Sequence, residues 1–181
     1  MEYLHYSDTP LGRILLSSDG NALTGLWFED QRYYGATLNA HCEERKLPVF
    51  DQAETWLAIY FSGKDPGFTP PLAPKGTSFR TAVWDILLTI PFGKTRTYGE
   101  IAAILAEQEG KKHMSAQAVG GAVGHNPISL IIPCHRVIGA DGSLVGFGGG
   151  LDRKRELLIL EKSTTAHSLN SSALSADLKW K

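Results

Sequence analysis

The chain has 181 residues, of which 43% are hydrophobic and 20% are charged, and its formal net charge is −1. This length suits one or two small domains with a real core, and the composition excludes a disordered or fibrous protein. No apolar run approaches membrane-spanning length, and the N-terminal residues lack the basic and apolar regions of a signal peptide. We therefore expect a cytoplasmic protein.

The first part of the chain predicts a small antiparallel sheet followed by a helix. Turn residues separate two strands, at 13–17 and 23–28, within a meander that covers residues 2–29. Asp51 and Glu54 have the spacing of a capping box, so we expect a helix to begin there.

A proline- and glycine-rich segment, residues 63–76, has the composition of a linker. We place a domain boundary in it, which gives an N-terminal domain at 1–75 and a second domain at 76–162. Residues 163–181 are polar and rich in serine and alanine, so we expect a mobile tail.

The second domain is predicted to be mainly helical. Thr97 and Glu100 form a second capping box, and Ser115 can cap the helix that follows it. Two short helices joined by a turn fit a helix-turn-helix. The three expected helices cover residues 78–89, 98–106 and 115–124.

The end of this domain carries further elements. An apolar run at 128–132 predicts a short buried strand. Asp141 and Gly142 look like a hairpin turn, which is the candidate wing. Asp152 is expected to cap a final helix that ends at Glu161.

Cys134 follows the predicted strand directly. Because Pro133 cannot donate a ladder hydrogen bond, the strand should end there and hold the thiol at the end of a packed element. His135 and Arg136 place a base and a positive charge beside it, and both can favour the thiolate, which is the nucleophilic form. The alternative is that a lone cysteine is a small buried hydrophobic residue.

Charge is unevenly spread along the chain. Residues 1–76 contain 6 Lys and Arg against 10 Asp and Glu, whereas residues 77–162 contain 10 against 8. The half that carries Cys134 is the more basic one, which favours a polyanionic partner. We expect such binding to be modest and salt-sensitive.

We expect no metal. His5, His41 and Cys42 are the nearby candidate ligands in the N-terminal domain, but they lack the spacing of a zinc site. The two cysteines, Cys42 and Cys134, lie far apart, which predicts free thiols in a reducing compartment.

Several of these segments together resemble one protein family, the O6-alkylguanine-DNA alkyltransferases. The resemblance rests on Asn126-Pro127, on Pro133-Cys134-His135-Arg136-Val137, on Ala118-Val119-Gly120-Gly121-Ala122 and on the glycines of residues 146–150. It extends from about residue 77 to 162 and is weaker before that.

The resemblance implies a fold and an activity. The fold is an α/β, ribonuclease-H-like N-terminal domain with a small antiparallel sheet, and a mainly α C-terminal domain with a winged-helix-like helix-turn-helix. The activity is irreversible, single-turnover transfer of the alkyl group from O6-alkylguanine in double-stranded DNA to Cys134 after base flipping. No cofactor, membrane or protein partner is implied. The protein would be monomeric and, in a bacterium, nucleoid-associated; action on O4-alkylthymine stays open.

The resemblance also assigns catalytic roles. Cys134 is the nucleophile, His135 a base acting through a water, and Glu161 the group that orients His135. Asn126 ties its turn to the active-site backbone, and Tyr98 pushes the target phosphate and contacts the flipped base. Arg136 is expected to have a structural role, bridging carbonyls or carboxylates.

DNA binding is assigned to the helix that contains Gln117, together with Tyr98. Small side chains allow a helix to enter the narrow minor groove, although they equally suit close helix packing. Gln117 stands where the family inserts an arginine into the base stack. The implied DNA-binding residues are Gln117, Ala118, Gly120, Gly121, Tyr98 and Arg136; the implied substrate pocket is Val137, Phe147, Gly148 and Gly149.

Two alternatives remain at this stage. One is a non-enzymatic, lesion-binding alkyltransferase-like protein, which would lack the nucleophile that Cys134 supplies. The other is a cysteine hydrolase, which would turn over repeatedly.

Overall fold

The computed structural model of the protein describes residues 1–165, which form parts of two compact units. The first unit contains residues 1–75 and also residues 127–131, and the second contains 76–126 and the chain from 132 onward. The predicted division is continuous along the chain. The structure differs in that residues 127–131 belong to the first unit and interrupt the second.

The first unit contains a four-stranded sheet in the order β3-β2-β1-β4. β1, β2 and β3 pair antiparallel as predicted, but β4 pairs parallel with β1, so the sheet is mixed rather than purely antiparallel. All three residues of β4 are exposed, and the sequence therefore offers no hydrophobic pattern for this strand. The strands are β1 Glu2–Thr9, β2 Gly12–Ser18, β3 Leu23–Phe28 and β4 Cys42–Glu44.

The helix of the first unit, α1, covers Pro48–Phe61 and begins earlier than predicted. Leu47 is its N-cap residue and makes no side-chain cap, so the predicted capping box at Asp51 is wrong. Proline suits the first helical position because its missing N–H would have no helical partner there. His5 of β1 contacts this helix through Glu54, with 3.0 Å between Nε2 and Oε1.

The apolar run at 128–132 does not form the predicted strand. It makes a single parallel bridge, between Leu26 of β3 and Ile128, and the amide of Ser129 donates to the Leu26 carbonyl at 2.9 Å. Leu130 then takes a φ of +69°, which turns the chain out of an extended path. An apolar run of this length fits a buried turn as well as a strand.

The second unit is mainly helical, and Trp84 and Leu87 of α2 lie in its core. The predicted capping box is confirmed: Thr97 Oγ1 accepts from the Glu100 amide at 3.1 Å, and Glu100 Oε2 accepts from the Thr97 amide at 2.7 Å. Ser115 caps α4 as predicted. No helix within residues 1–165 is both long and apolar enough to cross a membrane. The elements are α2 Ser78–Leu88, β5 Arg96–Thr97, α3 Tyr98–Gln108, α4 Ala116–Gly124, a 3-10 helix at Cys134–Arg136, β6 Val137–Ile138 and α5 Leu151–Thr165.

Two boundaries near the end of the chain differ from expectation. α5 begins before Asp152, so that residue lies in its first turn rather than at its cap, and the helix continues beyond Glu161. Asp141 and Gly142 form a turn, but no strand follows it within the described part of the chain, so the predicted hairpin is absent there. The expected mobile tail lies, from residue 166 on, outside the described residues.

Candidate active site

Cys134 begins the 3-10 helix instead of ending a strand. Its side chain is buried, and the whole residue is 5% exposed. The segment before it is fixed by Asn126, whose Nδ2 donates to the carbonyl of Ile132 at 2.8 Å. Burial raises the pKa of the Cys134 thiol, and a hydrogen bond from Asn126 together with the charge of Lys154 opposes this only in part.

His135 is completely buried and bonds to α5. Its Nε2 lies 2.6 Å from Glu161 Oε1, and because an ionised carboxylate can only accept, the imidazole donates. Burial lowers the pKa of His135, while Glu161 acts in the opposite direction. Successive side chains of a 3-10 helix point roughly 120° apart. Cys134 and His135 therefore do not face each other.

Arg136 completes a buried charge cluster around Glu161. Its Nε lies 3.1 and 2.9 Å from the two carboxylate oxygens, and its Nη1 donates to the carbonyl of Ile90 at 2.7 Å. The amide of Gly93 donates to Glu161 Oε2 at 3.0 Å. Burial alone would raise the pKa of Glu161, but His135 and Arg136 outweigh it and lower that pKa to about 2.

This cluster confirms the structural role of Arg136, which bridges a carboxylate and a carbonyl, and corrects two other expectations about it. Its charge is matched by Glu161, so it is not the cation that favours a thiolate at Cys134. Its guanidinium is directed into the domain and the residue is 8% exposed, so we do not carry it into a DNA-binding surface. His135 does not supply the cation either, because burial lowers its pKa and favours the neutral imidazole.

Lys154 of α5 is the cation near Cys134, and sequence analysis missed it. The residue is fully buried, and its Nζ donates to the carbonyls of Val137 and Val145, the latter at 2.7 Å. Burial lowers the pKa of Lys154 to about 8, against the opposing effect of negative charge on Cys134.

A sequence signal for Lys154 does exist. Helical spacing places it on the same face as Leu157 and Glu161, three and seven residues further on. All three are buried. A lysine in line with a buried leucine and a candidate catalytic carboxylate is therefore a candidate site residue.

Tyr98 is the first residue of α3 and lies against the site. Its hydroxyl donates to the carbonyl of Val145 at 2.9 Å and lies 3.2 Å from that of Gly146. Burial, followed by the charge of Cys134, raises the pKa of Tyr98 to about 12. Gly120 of α4 faces this tyrosine, because a Cβ there would lie 3.7 Å from the Tyr98 ring.

The predicted substrate-pocket residues lie in the same unit. Val137 is fully buried, and Gly148 is partly exposed. The Phe147 ring meets the His135 ring edge-on, with centroids 6.5 Å apart and an interplanar angle of 75°. Gly149 must be small, because a Cβ there would lie 2.7 Å from the Phe147 ring.

The N-terminal end of α4 presents small exposed residues. Gln117 and Ala118 are exposed in its first turn, whereas Val119 is buried and anchors the helix. A Cβ on Gly121 would meet nothing within 4 Å, so packing inside the domain does not require glycine there.

The candidate zinc ligands are not grouped. His5 bonds to Glu54, and the exposed Cys42 donates to the carbonyl of Asn39 at 3.1 Å. Among residues 1–165 no three His, Cys, Asp or Glu side chains are arranged to hold a metal ion. The absence of zinc stays a prediction, which elemental analysis of the purified protein checks.

Comparison with known proteins matches both halves of the chain. The model of the 6-O-methylguanine DNA methyltransferase DNA binding domain matches residues 78–163, and that of the ribonuclease-like domain matches residues 3–74. A methylated-DNA–protein-cysteine methyltransferase of Haemophilus influenzae is 44% identical over 161 residues, which is 88% of this chain and 86% of the relative. The protein of the same name from Mycobacterium tuberculosis is 46% identical, over 88% of this chain and 93% of its own.

The chain belongs to the methylated-DNA–protein-cysteine methyltransferase family. A solved structure agrees: the crystal structure of Mycobacterium tuberculosis OGT in complex with DNA has a TM-score of 0.76 and 45% identity, and the match covers 89% of this chain and 93% of that one. Membership of this methyltransferase family confirms the resemblance that the Cys134 segment carries.

In this methyltransferase, Glu161 should govern stability in acid. Its pKa is about 2 in the folded protein against an ordinary 4.5, so its contribution is complete above pH 4.5 and is lost as the pH falls toward 2. The shift corresponds to roughly 3 kcal/mol of unfolding free energy. Glu161→Gln should flatten the pH dependence of that free energy, measured by urea unfolding between pH 2.5 and 6.

The matched control is Glu156→Gln, which removes an exposed carboxylate from the same helix. It should keep the wild-type pH dependence. Parallel curves for the wild type and Glu161→Gln would contradict the assignment.

Proposed function

We propose that this protein repairs double-stranded DNA, as a monomer, by moving the alkyl group of O6-alkylguanine onto its own Cys134. The observation that carries the proposal is a buried cysteine in a tight turn, backed by the His135–Glu161–Arg136 cluster, in a chain of this family. The relatives' printed name describes transfer from methylated DNA to a protein cysteine, and one neighbouring structure contains DNA.

The transfer is a single displacement. The sulfur of Cys134 attacks the alkyl carbon, an S–C bond forms as the C–O6 bond breaks, and guanine leaves with the electron pair. The thiol proton passes through a water to the neutral His135 and ends on the departing base. Glu161 stabilises the imidazolium that forms in between. The thioether product has no step that releases the alkyl group, so each protein acts once.

The burial of Cys134 suits this single use. A thiol whose pKa is raised stays protonated and reacts slowly with oxidants and alkylating agents in solution. Deprotonation then accompanies binding of the damaged base. Cys134 therefore reacts with the alkylated guanine rather than with electrophiles in solution.

The flipped base would be held by main-chain groups. The carbonyls of Cys134 and Val137 accept from the guanine amine, and the amide of Gly148 meets O6. Val137 can do so while bound to Lys154, because a carbonyl oxygen has two lone pairs. Tyr98, beside the site at the start of α3, contacts the base and its phosphate.

The DNA surface would be the exposed end of α4. α3 and α4 serve as a helix-turn-helix, and small residues at Ala118 and Gly121 let α4 lie in the minor groove. The turn at Asp141 and Gly142 takes the place of a wing. Readout in the minor groove is degenerate, which suits a search for damage in any sequence.

Cys134 should be consumed stoichiometrically. Incubation with duplex O6-methylguanine should add one methyl group to the peptide that contains Cys134, as seen by mass spectrometry. Cys134→Ala should bind the duplex without transfer, and Cys42→Ala, which removes the exposed cysteine, should react like the wild type. Several turnovers per protein would instead indicate a hydrolase, and binding without transfer by the wild type would indicate a lesion-binding protein.

Gln117 should limit repair in duplex DNA more than the chemistry itself. Flipping a base costs a few kcal/mol. An arginine at this exposed position in the first turn of α4 would offset part of that cost by stacking and by its charge. Gln117→Arg should therefore speed repair of duplex O6-methylguanine and steepen its salt dependence, while reaction with free O6-benzylguanine changes little.

Gln52→Arg is the control, because it adds the same charge at an exposed position of α1 in the first unit, outside the proposed helix-turn-helix. An equal response of both substrates to Gln117→Arg would show that the residue acts on the active site. No response of either would place duplex opening elsewhere.

A further inference from the structure

Lys154 is a buried cation that the proposed transfer does not use. The residue is fully buried in α5, and its Nζ bonds to two main-chain carbonyls, those of Val137 and Val145. Among the described residues, no carboxylate forms an ion pair with it. Neutral carbonyls satisfy its hydrogen bonds but leave its charge unmatched, and an unmatched buried charge is costly.

The groups that face this ammonium come from two elements. The 3-10 helix contributes Cys134 and His135: burial has the largest effect on the pKa of each, and the charge of Lys154 lowers both pKa values. α3 contributes Tyr98, whose hydroxyl shares the Val145 carbonyl with Lys154. Tyr98 stays neutral because its pKa is about 12, and His135 is kept neutral by burial. Cys134 is therefore the one of these three groups that can supply a matching negative charge.

The other cation of the cluster does not compete for this role. Arg136 places its Nε and Nη2 on the two oxygens of Glu161, so its charge is already matched. The two basic residues of the site thus have different partners. Arg136 forms an ion pair with Glu161, whereas the charge of Lys154 remains available to Cys134.

We propose that Lys154 is a positioning residue whose buried ammonium provides the counter-charge for the Cys134 thiolate and thereby sets its readiness to attack. The inference rests on the proposed function and adds to it a residue that acts through the nucleophile. The same side chain joins the carbonyl of Val137, just after the 3-10 helix, to that of Val145. Its charge is therefore held in a fixed place next to the turn that carries Cys134.

A purely structural role makes a different prediction. If Lys154 only satisfied the Val137 and Val145 carbonyls, a neutral donor could replace it without altering the thiol. If the positive charge of Lys154 is what matters, Lys154→Gln and Lys154→Met should both lower the reactivity of the Cys134 thiol, although glutamine retains a hydrogen-bond donor.

The test follows thiol reactivity instead of DNA repair. In a Cys42→Ala background, Cys134 is the sole cysteine, and its rate of reaction with iodoacetamide at pH 7 reports how readily the sulfur takes on negative charge. Lys154 is still protonated at that pH, because its pKa is about 8. Both Lys154 variants should react at least about tenfold more slowly than the wild type, which corresponds to about one pH unit in the ionisation of the thiol. Arg155→Gln removes an exposed charge from the next position of α5 and should leave the rate unchanged. Variants that fold, by circular dichroism, and still react at the wild-type rate would overturn the proposal.

This measurement is independent of the proposed function. A wild-type protein that fails to take a methyl group from DNA would contradict the repair activity, yet the iodoacetamide rates would still decide whether Lys154 acts on the thiol. Transfer by the wild type, together with unchanged iodoacetamide rates in the Lys154 variants, would overturn the counter-charge alone.

Discussion

The buried carboxylate of Glu161 is the group on which the rest of the site depends. An ionised carboxylate removed from water is costly unless charged and polar partners surround it. Here His135, Arg136 and the Gly93 amide all donate to it. Those donors come from the 3-10 helix and from the segment after α2, so satisfying one charge fixes the turn that carries Cys134.

α5 supplies two opposite charges to the site from one face. Lys154 and Glu161 are seven residues apart, which is two helical turns, or roughly 10 Å along the axis. One helix therefore places a cation near Cys134 and an anion against His135, and a simple rotation of α5 would misplace both. The relative placement of the cation and the carboxylate is therefore set by the geometry of α5, because both residues belong to that one helix.

The capping box of Thr97 and Glu100 could be predicted because all of its atoms come from four consecutive residues. The same spacing at Asp51 and Glu54 misled, because α1 already begins at Pro48 and places Asp51 inside the helix. Signals that depend on distant partners were the poorest guides. The run at 128–132 was misassigned because its one bridge is to Leu26, about a hundred residues earlier. β4 was missed because its residues are exposed and carry no hydrophobic pattern.

The candidate site shows the same division. The motif identified Cys134, but its electrostatic environment could not be predicted from neighbours in sequence. Arg136 is two residues away along the chain and yet its charge is matched by Glu161, while Lys154 is twenty residues away and its charge lowers the pKa of the Cys134 thiol. Charges act through space and burial, and both are set by the packing of α5 against the turn.

Burial of the nucleophile and exposure of α4 together explain how such a protein could select damage without reading sequence. The thiol of a residue that is 5% exposed can be reached only by a group that enters the site. In the proposed complex, the small exposed residues Ala118 and Gly121 would hold a duplex without base-specific side chains. Selection then falls on the base itself: one that leaves the stack readily enters more often, and only an alkylated O6 offers the sulfur a carbon to attack.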